Sequence, residues 1–173
     1  MFLFDLLFGK REQAAPALAV AETPAQESAA PGTGIHYHPD LIGKLTADHQ
    51  VLLKLFSETS VAAVRGDVVA AAARLEEFRV ALQSHLLTEN IRLYVYLQHA
   101  LVDDAASRAL IHEFRHEMDG IGRAVVDFLG KYRDLAAHPE RATEFGEELA
   151  GVGKVLVERI RREEATLYPL YAG

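Results

Sequence analysis

Histidine and carboxylate side chains recur where helical spacing predicts an apolar core. His85 and Glu89 lie four residues apart in the segment SHLLTENIRLYVYL, on the stripe that its leucines define. His49 takes a core position in an earlier segment, and Glu163 takes one near the end of the chain. Two imidazoles with one or two carboxylates suit iron, manganese or zinc. These four residues are therefore the candidate metal ligands.

An arginine shares the stripe of the last candidate ligand. Arg159 precedes Glu163 by one helical turn. Its guanidinium stays protonated and cannot ligate a metal, and in a core it needs carboxylate partners. We predict that Arg159 replaces the charge of a second metal and bridges Glu163 and Glu89. The imidazoles of His49 and His85 would complete this network.

Four long segments must position these side chains. In each, apolar residues recur in steps of three and four, the pattern of a helix that faces a core. The connections between them are short, which favours an all-α, up-down-up-down four-helix bundle. The predicted boundaries are Pro39 to Gly66, Asp67 to about His99, Asp103 or Asp104 to the AAHPER segment, and Pro139 to the C-terminus.

Antiparallel pairing gathers the polar core residues at one depth. Counting outward from the predicted turns gives one layer and a second layer one turn along. The segments HLLTENIRLYVYL and RIRREEATLYPLY also superimpose with one constant offset, which indicates internal duplication. The first layer contains His49, His85, Met118 and Arg159, and the second contains Leu45, Glu89, Phe114 and Glu163.

With these motifs the chain resembles the hemerythrin-like family, the HHE cation-binding domains, over residues 39 to 171. The resemblance is carried by LTADHQVLLKLF, HLLTE and EEATLYP. It implies two helical hairpins, each giving one His from its first helix and a His with a carboxylate from its second. Together these hold two iron atoms with an oxygen bridge. The roles it implies are oxygen binding, oxygen or iron sensing, nitric oxide response and repair of iron centres.

Carried over residue by residue, the resemblance implies a degenerate centre. The first hairpin is complete, whereas Arg159 stands where the fourth helix should have a His. On the third helix, stripe and layer select Met118 for the missing His. His112 and His116 are spaced like ligands but lie about 200° round the helix from Phe114. They are the less favoured ligands, and we expect them to be exposed.

Three states of the centre follow, in decreasing order of preference. The first is a metal-free polar core. The second is a single Fe, Mn or Zn ion held by the four candidate ligands. The third is a di-iron site completed by His112 or His116.

Composition limits the functional classes. The net charge of -7 and pI of about 5.6 argue against a nucleic-acid partner, which needs a basic face. The chain has no cysteine, which excludes disulfides and thiolate sites and fits a reducing compartment, so we expect a cytoplasmic location. No phosphate loop or nucleophile–base constellation is recognisable, so we expect no enzymatic activity.

The N-terminal part differs in composition from the bundle. Residues 1–38 are predicted to form an apolar peptide, MFLFDLLF, followed by a flexible linker over residues 11–34, and residues 39–173 the bundle. We expect residues 1–9 or the bundle surface to bind a protein partner, with peripheral membrane contact as the alternative. For His36 and His38, docking of the linker on the bundle is favoured over metal binding.

Two functions remain. The first is a hemerythrin-like regulatory, sensory or interaction module with a degenerate centre that binds at most one metal ion. The alternative is an iron-dependent carrier or sensor that responds to oxygen or redox state. Arg159 and Met118 favour the first function, whereas His49, His85 and Glu89 favour the second.

Overall fold

Four long helices form the protein, as the apolar stripes predict. The computed structural model describes residues 29–30 and 32–172. Within this part of the chain there is no strand, and a single isolated bridge pairs Ala29 with His36. The all-α bundle prediction is confirmed. The α-helices are α1 Leu41–Val64, α2 Val68–Thr88, α3 Val95–Ala100, α4 Ala105–Lys131, α5 Ala142–Arg162 and α6 Pro169–Ala172.

Two of the four helices contain a wider turn. A π-helical segment, Glu89–Tyr94, joins α2 to α3, and a second, Glu163–Leu167, joins α5 to α6. The second and fourth helices of the bundle therefore each consist of two α-helical parts. Short 3₁₀ turns at Leu135–Ala137 and Pro139–Arg141 connect α4 to α5.

Local chemistry explains where the helices begin and end. The chain leaves α1 through Gly66, whose φ of 73° is in the left-handed region that glycine tolerates. Asp67 then caps α2 by accepting a 2.9 Å hydrogen bond from the backbone N–H of Ala70. Asp104 caps α4 by accepting from the backbone N–H of Ala106 at 3.0 Å.

A polar layer divides the buried core into two apolar clusters. One cluster lies toward the α1–α2 turn and includes Leu52, Leu75, Phe78, Phe145 and Leu149. The other lies toward the start of α1 and includes Leu41, Leu45, Leu97, Phe114 and Tyr171. The buried polar side chains between them are His49, His85, Glu89, Arg159 and Glu163.

Helix α5 approaches α1 closely at a glycine. A Cβ atom added at Gly153 would lie 2.5 Å from Cε1 of Phe56. No heavy atom lies within 4 Å of the corresponding position at Gly151, on the same helix. Gly153 therefore makes room for the Phe56 ring.

The residues just before α1 pack on the bundle. Ala30 is 2% exposed and its N–H donates to the carbonyl of Ile35 at 2.8 Å. The backbone N–H of His38 donates to the hydroxyl of Tyr171 at 2.7 Å, as docking of this segment requires. The prediction of a free linker up to residue 34 is thus wrong at its described end, because Ala30 is buried. The apolar peptide and the rest of the linker lie outside the described residues.

None of the described helices combines the length and the apolar character that crossing a bilayer requires.

Candidate metal centre

Three candidate ligands converge in the polar layer. His49 of α1, His85 of α2 and Glu163 at the end of α5 are all buried, and each offers a ligand atom within 4.8 Å of the other two. The two imidazole rings are 4.7 Å apart between centroids. Nε2 of His49 lies 3.2 Å from a carboxylate oxygen of Glu163. Two imidazoles and a carboxylate thus face one small volume.

The π-helical segments begin at the two buried glutamates. Glu89 opens the first segment and Glu163 opens the second, so the two hairpins place the wide turn at equivalent positions. Such single wide turns are frequent at functional sites. Each segment is followed, at its end, by a buried tyrosine, Tyr94 or Tyr168, whose hydroxyl reaches the polar layer.

A second carboxylate orients the ring of His49. Nδ1 donates to Glu164 at 2.8 Å, while Nε2 faces Glu163 and lies 3.2 Å from the hydroxyl of Tyr168. Burial by itself would lower the pKa of His49, but the hydrogen bonds and charges of both glutamates raise it overall. A histidine that gives one ring N–H to a carboxylate and turns the other nitrogen inward is the usual arrangement of a metal-ligating imidazole.

His85 is poised as a neutral ligand. Burial and the neighbouring His49 lower the pKa of His85 to about 4, so the ring is uncharged at neutral pH. Its Nδ1 is buried without a hydrogen-bond partner, and the nearest carboxylate oxygen, of Asp48, is 3.8 Å away. Neutral imidazole is the form that binds metals.

The two buried glutamates differ in charge. Burial raises the pKa of Glu89 well above its usual range, and the charge of Glu163 raises it further. Burial would also raise the pKa of Glu163, but His49 and Arg159 lower it overall. Glu163 is therefore the carboxylate that stays ionised, while Glu89 holds its proton more tightly and leaves Oε1 without a partner.

Arg159 is buried and fully engaged. Its Nε donates to Glu163 at 2.5 Å and its Nη2 to the hydroxyl of Tyr94 at 2.9 Å. Nη1 donates to Glu117 at 3.0 Å and to the carbonyl of Phe114 at 3.1 Å. The guanidinium also stacks over the Phe114 ring, 4.6 Å from its centroid.

Two parts of the predicted network are wrong. Within the described residues no hydrogen bond joins Arg159 to Glu89, because the guanidinium turns toward α4 and Tyr94 instead. Met118 takes no polar part either. It is half-buried, packs on the apolar cluster near the α1–α2 turn and lines a groove there.

The other histidines lie elsewhere. His112 and His116 are exposed on α4, and they line a surface recess away from the polar layer. Sequence reasoning missed the partners Glu164, Glu117 and Tyr168. The repeated pattern of a glutamate followed four and five residues later by Leu-Tyr could have revealed Tyr168, and the pair Glu163–Glu164 could have suggested Glu164. Nothing in the spacing pointed to Glu117.

A comparison with family models assigns the fold and the class of site. The model of the hemerythrin HHE cation binding domain matches residues 40–171. The chain belongs to the hemerythrin HHE family. Neither the comparison with curated proteins nor that with solved structures finds a match.

The residues of this hemerythrin domain fit a bound cation. His49, His85 and Glu163 offer mutually close ligand atoms, and two buried atoms nearby, Nδ1 of His85 and Oε1 of Glu89, have no hydrogen-bond partner. Buried polar atoms are normally paired, so such atoms beside a cluster of donors indicate a missing partner. The family and the geometry together support a metal-binding module.

Proposed function

We propose that this hemerythrin domain is a regulatory or sensory module that holds one metal ion, iron by preference, and that it is not an enzyme. The ion would be held by His49, His85 and Glu163, with Glu89 as a further carboxylate. Two imidazoles and one carboxylate with open positions form the donor set of many non-haem Fe(II) sites.

The observation that carries the proposal is the orientation of His49. Its Nδ1 donates to Glu164 while its Nε2 points at Glu163, which fixes the ring as an inward-facing ligand. His85 is neutral beside it and leaves a buried nitrogen unpaired. Without a cation, this arrangement leaves buried polar atoms unsatisfied at a cost of roughly 1–3 kcal/mol each.

The chain's own residues limit the centre to one ion. The charge of Arg159 lies beside Glu163 and would repel a second cation there. Burial and the charge of Glu89 raise the pKa of Tyr168, which keeps its hydroxyl protonated and able to donate. When bound, iron would supply one-electron redox chemistry and an open coordination position for a small ligand.

Metal analysis by mass spectrometry tests the proposal. Untagged protein from iron-rich medium should contain about one metal ion per chain. The double variant His49→Ala/His85→Ala should contain none, because two of the three converging donors are removed. Glu164→Gln should weaken metal affinity about 10- to 100-fold, the usual effect of losing a carboxylate that orients a ligating histidine.

Exposed histidines provide the matched control. His112→Ala/His116→Ala removes two imidazoles outside the polar layer, so its metal content should equal that of the parent. Two ions per chain, or loss of metal in this control, would contradict a single site at His49 and His85. Absorption near the ultraviolet edge of the visible range that changes when oxygen meets the reduced protein would favour an oxygen- or redox-responsive carrier or sensor.

A metal-free interaction module is the second candidate. It is favoured by the chain of bonds from Glu164 through His49 and Glu163 to Arg159, which already pairs the ionised groups. In that case the purified parent would contain no stoichiometric metal even after iron-rich growth, and the function would reside on the surface.

A further inference from the structure

An apolar groove of about 430 Å³ opens between α2, α4 and α5. Clefts of this size are typical of binding sites. Val155 stands at its surface and is 46% exposed. The apolar walls include Leu82 and Leu86 of α2, Ile121 and Val125 of α4, and Val152 and Val155 of α5.

Ion pairs between α4 and α5 bound the groove at both ends. Glu117 pairs with Arg162 and Arg159 at one end, and Lys131 pairs with Glu148 at the other. Between these ends α4 and α2 make few contacts, unlike α1 and α2, which pack along their length. Glu117 and Lys131 are about 21 Å apart along α4 at 1.5 Å per residue. The groove is long enough for a short peptide segment.

The chain contains one segment whose composition matches this groove. Residues 2–8 read FLFDLLF, apolar except for Asp5. Lys154 stands beside Val155 in a recess that adjoins the groove, where it can pair with that single carboxylate. Apolar surface and opposite charge thus correspond between segment and groove.

The connection between segment and bundle has the right length. Residues 9–28 separate the segment from Ala29, and a chain of that length spans about 25 Å on average. The docked residues before α1 contact Tyr171, and Val155 lies about 24 Å from that point along the fourth helix. A tether whose average span matches the distance gives the highest effective concentration.

We propose that residues 2–8 dock in this groove within the same chain. The segment would cover the apolar walls and contact the side of the groove that Arg159 forms. The bundle would then carry its own removable cover.

A tryptophan placed in the segment tests the docking. The chain has no tryptophan, so Phe4→Trp gives a single fluorescent reporter. In the full chain we expect acrylamide to quench this reporter at least threefold less than in Phe4→Trp/Val155→Arg, which places a charge at the groove. Leu6→Asp in the Phe4→Trp chain should release the reporter equally, and it lies outside the bundle, so it tests docking even if Val155→Arg perturbs the fold.

Val80→Arg is the matched control, because Val80 is 53% exposed on α2 and does not line the groove. Quenching in Phe4→Trp/Val80→Arg should equal that of Phe4→Trp alone. Equal quenching in the chains with and without Val155→Arg would overturn the proposal and leave a membrane or another protein as the partner of the segment. Protection that falls on 100-fold dilution would overturn it in favour of docking on a second copy.

Discussion

The guanidinium of Arg159 stabilises the centre through the charge it neutralises. It lies between Glu163 and Glu117, and burial of both Arg159 and Glu163 leaves little water to replace it. Removal of one partner of such a buried pair is more costly than the pair itself is favourable, because the remaining charge is stranded.

Arg159→Ala should therefore lower the free energy of unfolding by about 3–5 kcal/mol. Urea denaturation of the chelator-treated protein measures this. Arg161→Ala is the control, since Arg161 is exposed on the same helix and its loss should cost about 0.5 kcal/mol or less. Equal effects of the two variants would show that the buried ion pair contributes nothing to stability.

His85 makes the metal-free protein sensitive to acid. Its folded-state pKa of about 4 lies below the unfolded value of 6.5, because burial and His49 oppose the charged ring. Below pH 6.5 the unfolded chain thus binds a proton that the folded chain does not. The free energy of unfolding should fall as the pH drops from 6.5 to 4, by about 3 kcal/mol from this residue.

Comparison with His85→Gln isolates this contribution. With chelator present, the stability of the parent relative to His85→Gln should decrease by about 3 kcal/mol between pH 7 and pH 4. His116→Gln, at an exposed ring, should follow the parent across this range. Parallel stability curves for the parent and His85→Gln would mean that the buried ring does not resist protonation.

At the scale of elements, the contact between α1 and α5 depends on the absence of a side chain at Gly153. An added Cβ would lie 2.5 Å from the Phe56 ring, which must then shift in a packed core. Gly153→Ala should destabilise the protein by about 1–3 kcal/mol, as overpacking usually does. Thermal or urea unfolding measures the change.

Gly151→Ala is the matched control for this substitution. The position is open and lies within the same helix, so alanine should stabilise by up to about 1 kcal/mol through its higher helix propensity. Phe56→Leu should recover part of the loss in Gly153→Ala, because the shorter side chain vacates the space. Stabilisation by both alanines would show that α5 has room to move away from α1.

The elements were predictable from sequence because each helix buries one face. Stripes in steps of three and four fixed the helices, and counting from Gly66 and Asp104 brought His49 level with His85. The hydrogen-bond partners were not predictable. Arg159 has several rotamers of similar length, and its choice of Glu117 and Tyr94 over Glu89 depends on space that only the packed bundle defines. The π-helical turns also change the direction of side chains after each glutamate, which a regular helical repeat cannot reveal.

For the whole molecule, metal binding and folding are linked. A metal that binds only the folded state stabilises it by about 2.7 kcal/mol when its free concentration is 100 times the Kd. For a protein of this size, that corresponds to a rise in Tm of about 5–10 °C. The ligands come from α1, α2 and the end of α5, so the ion would connect both hairpins.

Chelation should therefore lower the Tm of metal-loaded parent protein by about 5–10 °C, as measured by calorimetry before and after treatment with excess chelator. His49→Ala/His85→Ala, which lacks two ligands, should melt at the same temperature with and without chelator. A chelator effect of similar size in this variant would place the stabilising ion elsewhere.

The polar layer between the two apolar clusters also determines how the helices are aligned along their axes. If one helix slid by a turn, about 5.4 Å, Glu163 or His49 would face leucines of one cluster and lose its partner. A polar residue at a core position selects one register in coiled coils for the same reason. An entirely apolar stripe would accept several such alignments at similar free energy, whereas this chain accepts one.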